Sequence, residues 1–197
     1  MTIREDLLRL QWAQLGHDEV YHKDVTILPL GQRVKHFVLH NAKYTSYLFE
    51  AVGKNDSALV LRTLTDAFVI SLASANTLNQ DIGRELGDIA AENISLMELG
   101  GRLVLDQPRD HTDQLWIVRT FAHHTGRLAK ACESLDHLES IPFRDVMKGA
   151  NLALFKAILA EASVLKIDLM HSYTARIREV EARSIFDCYH QNTGRQA

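Results

Sequence analysis

Apolar positions along this chain recur at three- and four-residue steps over long stretches, the period of an α-helix. Between Gln32 and Val52 the residues Val34, Phe37, Val38, Asn41, Thr45, Leu48 and Val52 share one stripe, and Gly53 is expected to stop the helix. Asp56 or Ser57 can cap the next one, Leu59 to Leu78, with Leu61, Leu64, Phe68, Leu72 and Ala75 facing inward. Together they predict an antiparallel hairpin. The second half follows the same plan, with an amphipathic Asp110 to Leu135, a short polar loop to Pro142, and a long helix from Phe143 to Leu165. A third helix is expected after each hairpin, from about Ile82 to Glu98 and from Leu169 to Arg183. Pro29, Pro108 and Pro142 each fall where a helical pattern is about to begin. Ahead of the first hairpin, Ile3 to Leu15 reads as an amphipathic helix carrying Leu7, Leu8, Leu10, Trp12 and Leu15 and ended by Gly16. An extended link from His17 to Leu28 should follow it, and the polar tail should be loosely held beyond His190.

The two halves also align with each other. Phe37 to His40 followed by Lys43 matches Phe121 to His124 followed by Arg127, and Ala67-Phe68, Leu78 and Asp81-Ile82 match Leu154-Phe155, Leu165 and Asp168-Leu169. A lone two-helix hairpin cannot bury its apolar stripe, whereas two packed face to face can close a core. The expected fold is therefore all-α, a four-helix-bundle core from two tandem hairpins with flanking helices. Residues 1–31 form a helix and link, 32–105 the first repeat, and 106–197 the second repeat with its tail, all in one globular unit.

Composition narrows the functional classes. Hydrophobic content of 46% and charged content of 24% are ordinary for a globular chain, with no low-complexity stretch. The net charge of −3, with both signs interspersed, supplies no basic field for a phosphate backbone, so nucleic acid is not an expected partner. Cys132 and Cys188 have no metal-type spacing and suit a reducing compartment. Arg4, Glu5, Asp6 and Arg9 stand where a signal peptide would be apolar, and no run approaches the roughly 18 apolar residues of a membrane span, so a cytoplasmic protein without a membrane partner is expected. The helices from Leu59 and Phe143 carry apolar residues on more than one face, from which a homo-oligomer is expected.

The segments Lys35-His36-Phe37-Val38-Leu39-His40-Asn41-Ala42-Lys43-Tyr44, Leu64-Thr65-Asp66-Ala67-Phe68-Val69-Ile70-Ser71-Leu72-Ala73 and Leu78-Asn79-Gln80-Asp81-Ile82 resemble the MazG-like all-α nucleoside triphosphate pyrophosphohydrolases. Leu165-Lys166-Ile167-Asp168-Leu169 and Arg176 to Arg183 resemble the segment after the hairpin in that family. The resemblance implies paired carboxylates, three residues apart on each hairpin helix, that hold Mg²⁺ against a triphosphate. Carried over by position, those places are Tyr44, Tyr47, Thr63 and Asp66 in the first repeat and about Leu128, Ala131, Ala150 and Ala153 in the second, so Asp66 alone is acidic. The resemblance thus implies a nucleotide as ligand, with hydrolysis lost or weakened. An active Mg²⁺ enzyme is the alternative, drawing on Asp66, Glu50, Glu85 and Asp88, the last two having Glu92 nearby; a purely structural module is a third reading.

Two further sets of residues carry chemistry. His36 and His40, four apart on one helix, could hold a metal ion with His124 of the partner helix; the plainer reading makes all three interhelical hydrogen-bonding groups. Lys43 and Arg127 occupy matching places, and with Tyr44 and Tyr47 they combine cations for a phosphate with rings for a base. Snorkelling from a half-buried helix face is the ordinary alternative. The chain has neither a nucleophile elbow nor a glycine-rich phosphate loop.

Overall fold

A computed structural model describes residues 2–106, 113 and 115–185. These residues are all-α: α1 (Ile3–Tyr21), α2 (Lys23–Thr26), α3 (Leu30–Lys54), α4 (Ser57–Leu78), α5 (Ile82–Glu85), a 3-10 turn (Gly87–Ala90), α6 (Leu96–Asp106), α7 (Trp116–Asp136), α8 (Phe143–Val164) and α9 (Leu169–Glu181). Cys188, Pro108, Asp110 and the tail beyond His190 lie outside the described residues.

The four long helices pack in a ring, α3 against α4 and α7, and α8 against α4 and α7. At its centre Phe68 of α4 stacks on Phe155 of α8 with ring centroids 5.6 Å apart, both rings fully buried. Of the expected α3 stripe, Val34, Phe37, Asn41 and Leu48 are buried, and Val38, Thr45 and Val52 are half-buried at its edge. Leu61 is a correction: it is 39% exposed, because α4 turns Thr63 and Leu64 inward in that turn instead.

The ends of the two hairpins match in detail. Asn55 and Leu138 adopt left-handed backbone, and the next amides, of Asp56 and Glu139, return to the carbonyls of Ala51 and Ser134. Asn79 and Lys166 do the same after α4 and α8, where the Gln80 and Ile167 amides reach Ala75 and Ala162, each at 2.8 Å. Asp81 and Asp168 then cap α5 and α9. Gly53 does not stop α3; the helix runs one residue further and Asn55 supplies the reversal.

Three other expectations are corrected. Gly16 does not end α1, which continues to Tyr21, and His17 to Leu28 is not extended but finishes α1 and forms α2. One interior glycine costs about 1 kcal/mol. Against it stands a stripe that continues through Gln11, Gln14 and His17, all buried. The third helix of the first half is broken, because Gly87 takes φ +69 and Ser95 with Glu98 forms a capping box that starts α6 anew. Finally, α4 is long and apolar enough to cross a bilayer, against the expectation that no stretch is. Its packing against α1, α3, α8 and α9 accounts for that composition, as the cover of α6 does for the second apolar face of α8.

Buried polar groups tie the layers together. Gln11 of α1 donates to the Gln80 carbonyl at 2.7 Å and accepts from the Ile82 amide at 3.1 Å. Gln80 donates to the Lys148 carbonyl at 2.9 Å and to Glu85, and its own oxygen accepts from Asn151 of α8 at 3.0 Å. Each amide is thus satisfied inside the fold.

α6 approaches α8 so closely that a Cβ on Gly100 would lie 2.4 Å from the Leu159 carbonyl oxygen. Gly100→Ala should therefore push the two helices apart and destabilise the protein by about 1–3 kcal/mol, read as a lower urea midpoint. Gly101→Ala, whose nearest neighbour would be the Ser163 hydroxyl at 3.5 Å, serves as the tolerated control.

Candidate functional site

A cavity of about 360 Å³ opens between the end of α1, α2, α3, α4 and α9. Its apolar wall is made by Phe37, Val69, Ile70, Ala73, Ile177 and Val180. Its polar groups come from every one of these elements: His17, Asp18 and His22 from α1 and the α1–α2 junction, Asp24 from α2, Arg33, His36, His40, Lys43 and Tyr44 from α3, Asp66 from α4 and Arg176 from α9. A mostly apolar cleft with a few convergent polar groups is the usual form of a small-molecule site.

Of the residues singled out from sequence, His36, His40, Lys43, Tyr44 and Asp66 come together here. Tyr47, Arg127 and His124 do not line the cavity. Tyr47 is 41% exposed and Arg127 is exposed on α7. His124 is half-buried on the same helix, its ring 4.8 Å from that of His123 and its Nδ1 without a hydrogen-bond partner.

The helical period places His36, His40, Lys43 and Tyr44 on one side of α3. The Nε2 atoms of His36 and His40 are 3.1 Å apart. The Tyr44 hydroxyl and the Lys43 ammonium approach His40 Nδ1 at 3.1 and 3.3 Å. An ammonium only donates, so the lone pair of His40 belongs on Nδ1 and its proton on Nε2, directed at His36. Burial, reinforced by the charge of Lys43 and by His36, pulls His40 down to about 4. It is neutral at physiological pH. Burial, with Asp66 adding to it, raises the Tyr44 phenol above its usual range, and Lys43 Nζ sits 5.0 Å from the centre of that ring.

Asp66 is held from the far side of the cavity. Arg176 donates to its two oxygens from Nε at 2.6 Å and Nη2 at 3.3 Å, and to Glu179 from Nη1 at 2.8 Å. The one acidic residue in a carried-over position is thus occupied by a guanidinium. Thr63, another such position, is buried with its hydroxyl unpartnered. Glu50 pairs with Lys54 on the surface, while Glu85 accepts from Gln80 and Glu92 pairs with Arg102.

Three residues that sequence reasoning passed over are drawn together at one end of the cavity. His17, Asp18 and His22 each present a ligand atom within 4.8 Å of the other two, and theirs is the one such His/Cys/Asp/Glu trio among the described residues. Their signal lay in the heptad-like run Ile3, Leu7, Leu10, Gln14, His17, Tyr21, which carries α1 straight across Gly16. Arg33, also unforeseen, donates to the carbonyls of Thr26 and Leu28 and so fixes the turn between α2 and α3.

The chain matches no protein-family model, no curated protein and no solved structure.

Two predictions follow from these charges. Asp66→Asn removes the less exposed of the two carboxylates paired with a guanidinium whose side chain is only 18% exposed, and should destabilise the fold by about 1–3 kcal/mol in chemical denaturation. His40 and His124 both fall from 6.5 to about 4 on folding, in each case chiefly through burial. The unfolded chain therefore takes up the extra protons, so their contribution is intact above pH 6.5 and is lost as pH falls towards 4. Urea midpoints measured across that window should rise with pH, with a shallower slope in the His40→Gln, His124→Gln double variant.

Proposed function

We propose that the chain is a MazG-like helical protein, built as two tandem copies of one hairpin, whose cavity takes up a small phosphorylated ligand of the nucleotide class without the family's metal-dependent hydrolysis. The observation that carries the reading is the cluster of Lys43, His40 and Tyr44 facing an apolar-walled cavity. Lys43 there has a neutral imidazole beside it in place of a carboxylate, so its charge is available to an anion. A volume of about 360 Å³ lies at the lower end of the small-molecule range and suits a ligand of mononucleotide size or less.

The tandem reading is supported by the paired helix ends, by the equal 22-residue lengths of α4 and α8, and by the stacking of equivalent residues Phe68 and Phe155. In this reading one chain supplies what two chains of a family dimer would supply. The loss of hydrolysis rests on the side chains themselves. Mg²⁺ needs several hard oxygen donors, and the carried-over positions offer two phenols, one threonine hydroxyl, aliphatic side chains and one aspartate already bound by Arg176. Asp66, Glu50, Glu85 and Asp88 form no convergent group among the described residues, which weighs against the active enzyme.

Calorimetry and thermal shift with mono-, di- and triphosphate nucleosides should detect binding to the purified chain, since a ligand specific to the folded state raises the melting midpoint. Lys43→Ala should weaken that binding about tenfold, the worth of one charge-assisted contact. Pyrophosphate released in the presence of Mg²⁺ or Mn²⁺, and abolished by Asp66→Ala, would reject the non-hydrolytic reading. Binding undiminished by Lys43→Ala would reject the cavity as its location.

A further inference from the structure

We propose that His17, Asp18 and His22 form a binding site for one divalent transition-metal ion, with the open side of its coordination sphere facing the cavity. The site is separate from the positions at which a MazG-like protein would hold magnesium, since none of the three residues belongs to the hairpin helices α3, α4, α7 or α8. Its donors are two imidazoles and a carboxylate, a set that favours ions of the zinc and iron(II) class over Mg²⁺.

The backbone explains how these residues meet. Asp18 and His22 are four apart and share a helix face, but His17 and His22 are five apart and on a continuous helix would point in different directions. At His22 the helix breaks, with φ −127 and ψ 42, as α1 ends and α2 begins. The break swings the His22 ring to 5.4 Å from that of His17, at an interplanar angle of 61°. The His22 amide still reaches the Asp18 carbonyl at 3.0 Å, which fixes the junction.

Two of the donors are also oriented from behind, as the ligands of a metal site usually are. His17 is buried, and its Nδ1 lies 3.2 Å from Glu181 Oε1 on α9. A carboxylate can only accept from a neutral imidazole there, so Nδ1 carries the proton and Nε2 the lone pair an ion requires. Asp18 accepts from Gln14 Nε2 at 2.8 Å through Oδ1, leaving Oδ2 for an ion, and Gln14 is in turn held by the Tyr173 hydroxyl at 3.1 Å. Glu181 and Tyr173 both belong to α9, so a helix remote in sequence fixes the aim of two neighbouring donors.

Three protein ligands leave positions for water or for a ligand atom, the arrangement of an open centre and not a closed structural one. His36 and His40 stand on the same cavity wall with their Nε2 atoms 3.1 Å apart, and are the rival pair for the ion.

The test uses the full-length chain, stripped with chelator, and no nucleotide, so that its result is independent of the ligand reading above. Zn²⁺ and Co²⁺ are added separately, bound metal is quantified by mass spectrometry after desalting, and the visible absorption of the Co²⁺ form reports its coordination; Mg²⁺ is the control. About one Zn²⁺ or Co²⁺ per chain is expected, with no comparable uptake of Mg²⁺. Asp18→Asn and His22→Gln should each weaken affinity by more than tenfold, and Glu181→Gln by about tenfold through the orientation of His17. His124→Gln should leave uptake unchanged, and circular dichroism identifies the variants that keep their helix content. The site is overturned by failure of the wild-type chain to take up stoichiometric metal, by uptake that persists in folded Asp18→Asn and His22→Gln, or by uptake lost in His36→Gln but retained in His22→Gln.

Discussion

α4 and α8 are apolar around most of their circumference, and neither can be satisfied by a single neighbour. They meet at Phe68 and Phe155, and the remaining surface must be covered by other helices: α3, α1 and α9 over α4, and α7 and α6 over α8. The arrangement of the chain follows from this need. α6 satisfies it on α8 by close approach, made possible where Gly100 lacks a side chain. α1 packs on α4 in a different way, with Leu7 and Leu10 buried at one end, Gln11 bonded to Asn76 of α4, and Gln14 and His17 turned to α9 further along. The contacts of α1 change from apolar to polar towards its C-terminal end, where the cavity opens.

The polar contacts at that end carry a requirement of their own. Buried amides and imidazoles must find partners, and here they find them on elements far away in sequence: Gln11 on Asn76 of α4, on Gln80 and on α5, Gln14 and His17 on α9. These bonds set the position of α1 against the core more narrowly than apolar contact alone would. They also set the position of α9, whose Tyr173 packs edge-on against Phe68 while its hydroxyl reaches Gln14.

The long helices were legible because periodicity, capping residues and prolines agreed with one another. The expected spans of α4, α8 and α9 begin and end within two residues of those observed. The reading fails where single glycines stand for helix stops. Gly16 reads as a stop, yet α1 passes through it, because the buried stripe on either side outweighs a cost of about 1 kcal/mol, while α3 runs only one residue past Gly53 to Lys54. Gly87 does interrupt its helix, since it adopts a left-handed conformation and Ser95 offers a fresh start. The misjudged Gly16 had the largest consequence for the site. With His17 to Leu28 read as an extended link, the spacing of His17, Asp18 and His22 carried no geometric meaning. On α3, where the helix was recognised, the convergence of His36, His40, Lys43 and Tyr44 could be read from their spacing. Arg176 was beyond reach for a different reason: its partner Asp66 is 110 residues away, and nothing local marks such a pair.

The charges that line the cavity divide into those already spent on the fold and those still available. Arg33 donates to backbone carbonyls before α3, which leave its charge uncompensated, whereas Arg176 is committed to Asp66 and Glu179 and contributes shape more than attraction. Lys43 differs, because its neighbour His40 is kept neutral by burial and by Lys43 itself. An ion at His17, Asp18 and His22 would add a second positive centre on the wall contributed by α1, with Lys43 on the wall contributed by α3. Anion recognition would then come from the two sides of the cleft, and would depend on α9 holding His17 and Asp18 in place. The carboxylate cradle of the resembled family would be replaced by a centre built outside the hairpins, from a helix the hairpin core needs only as a cover.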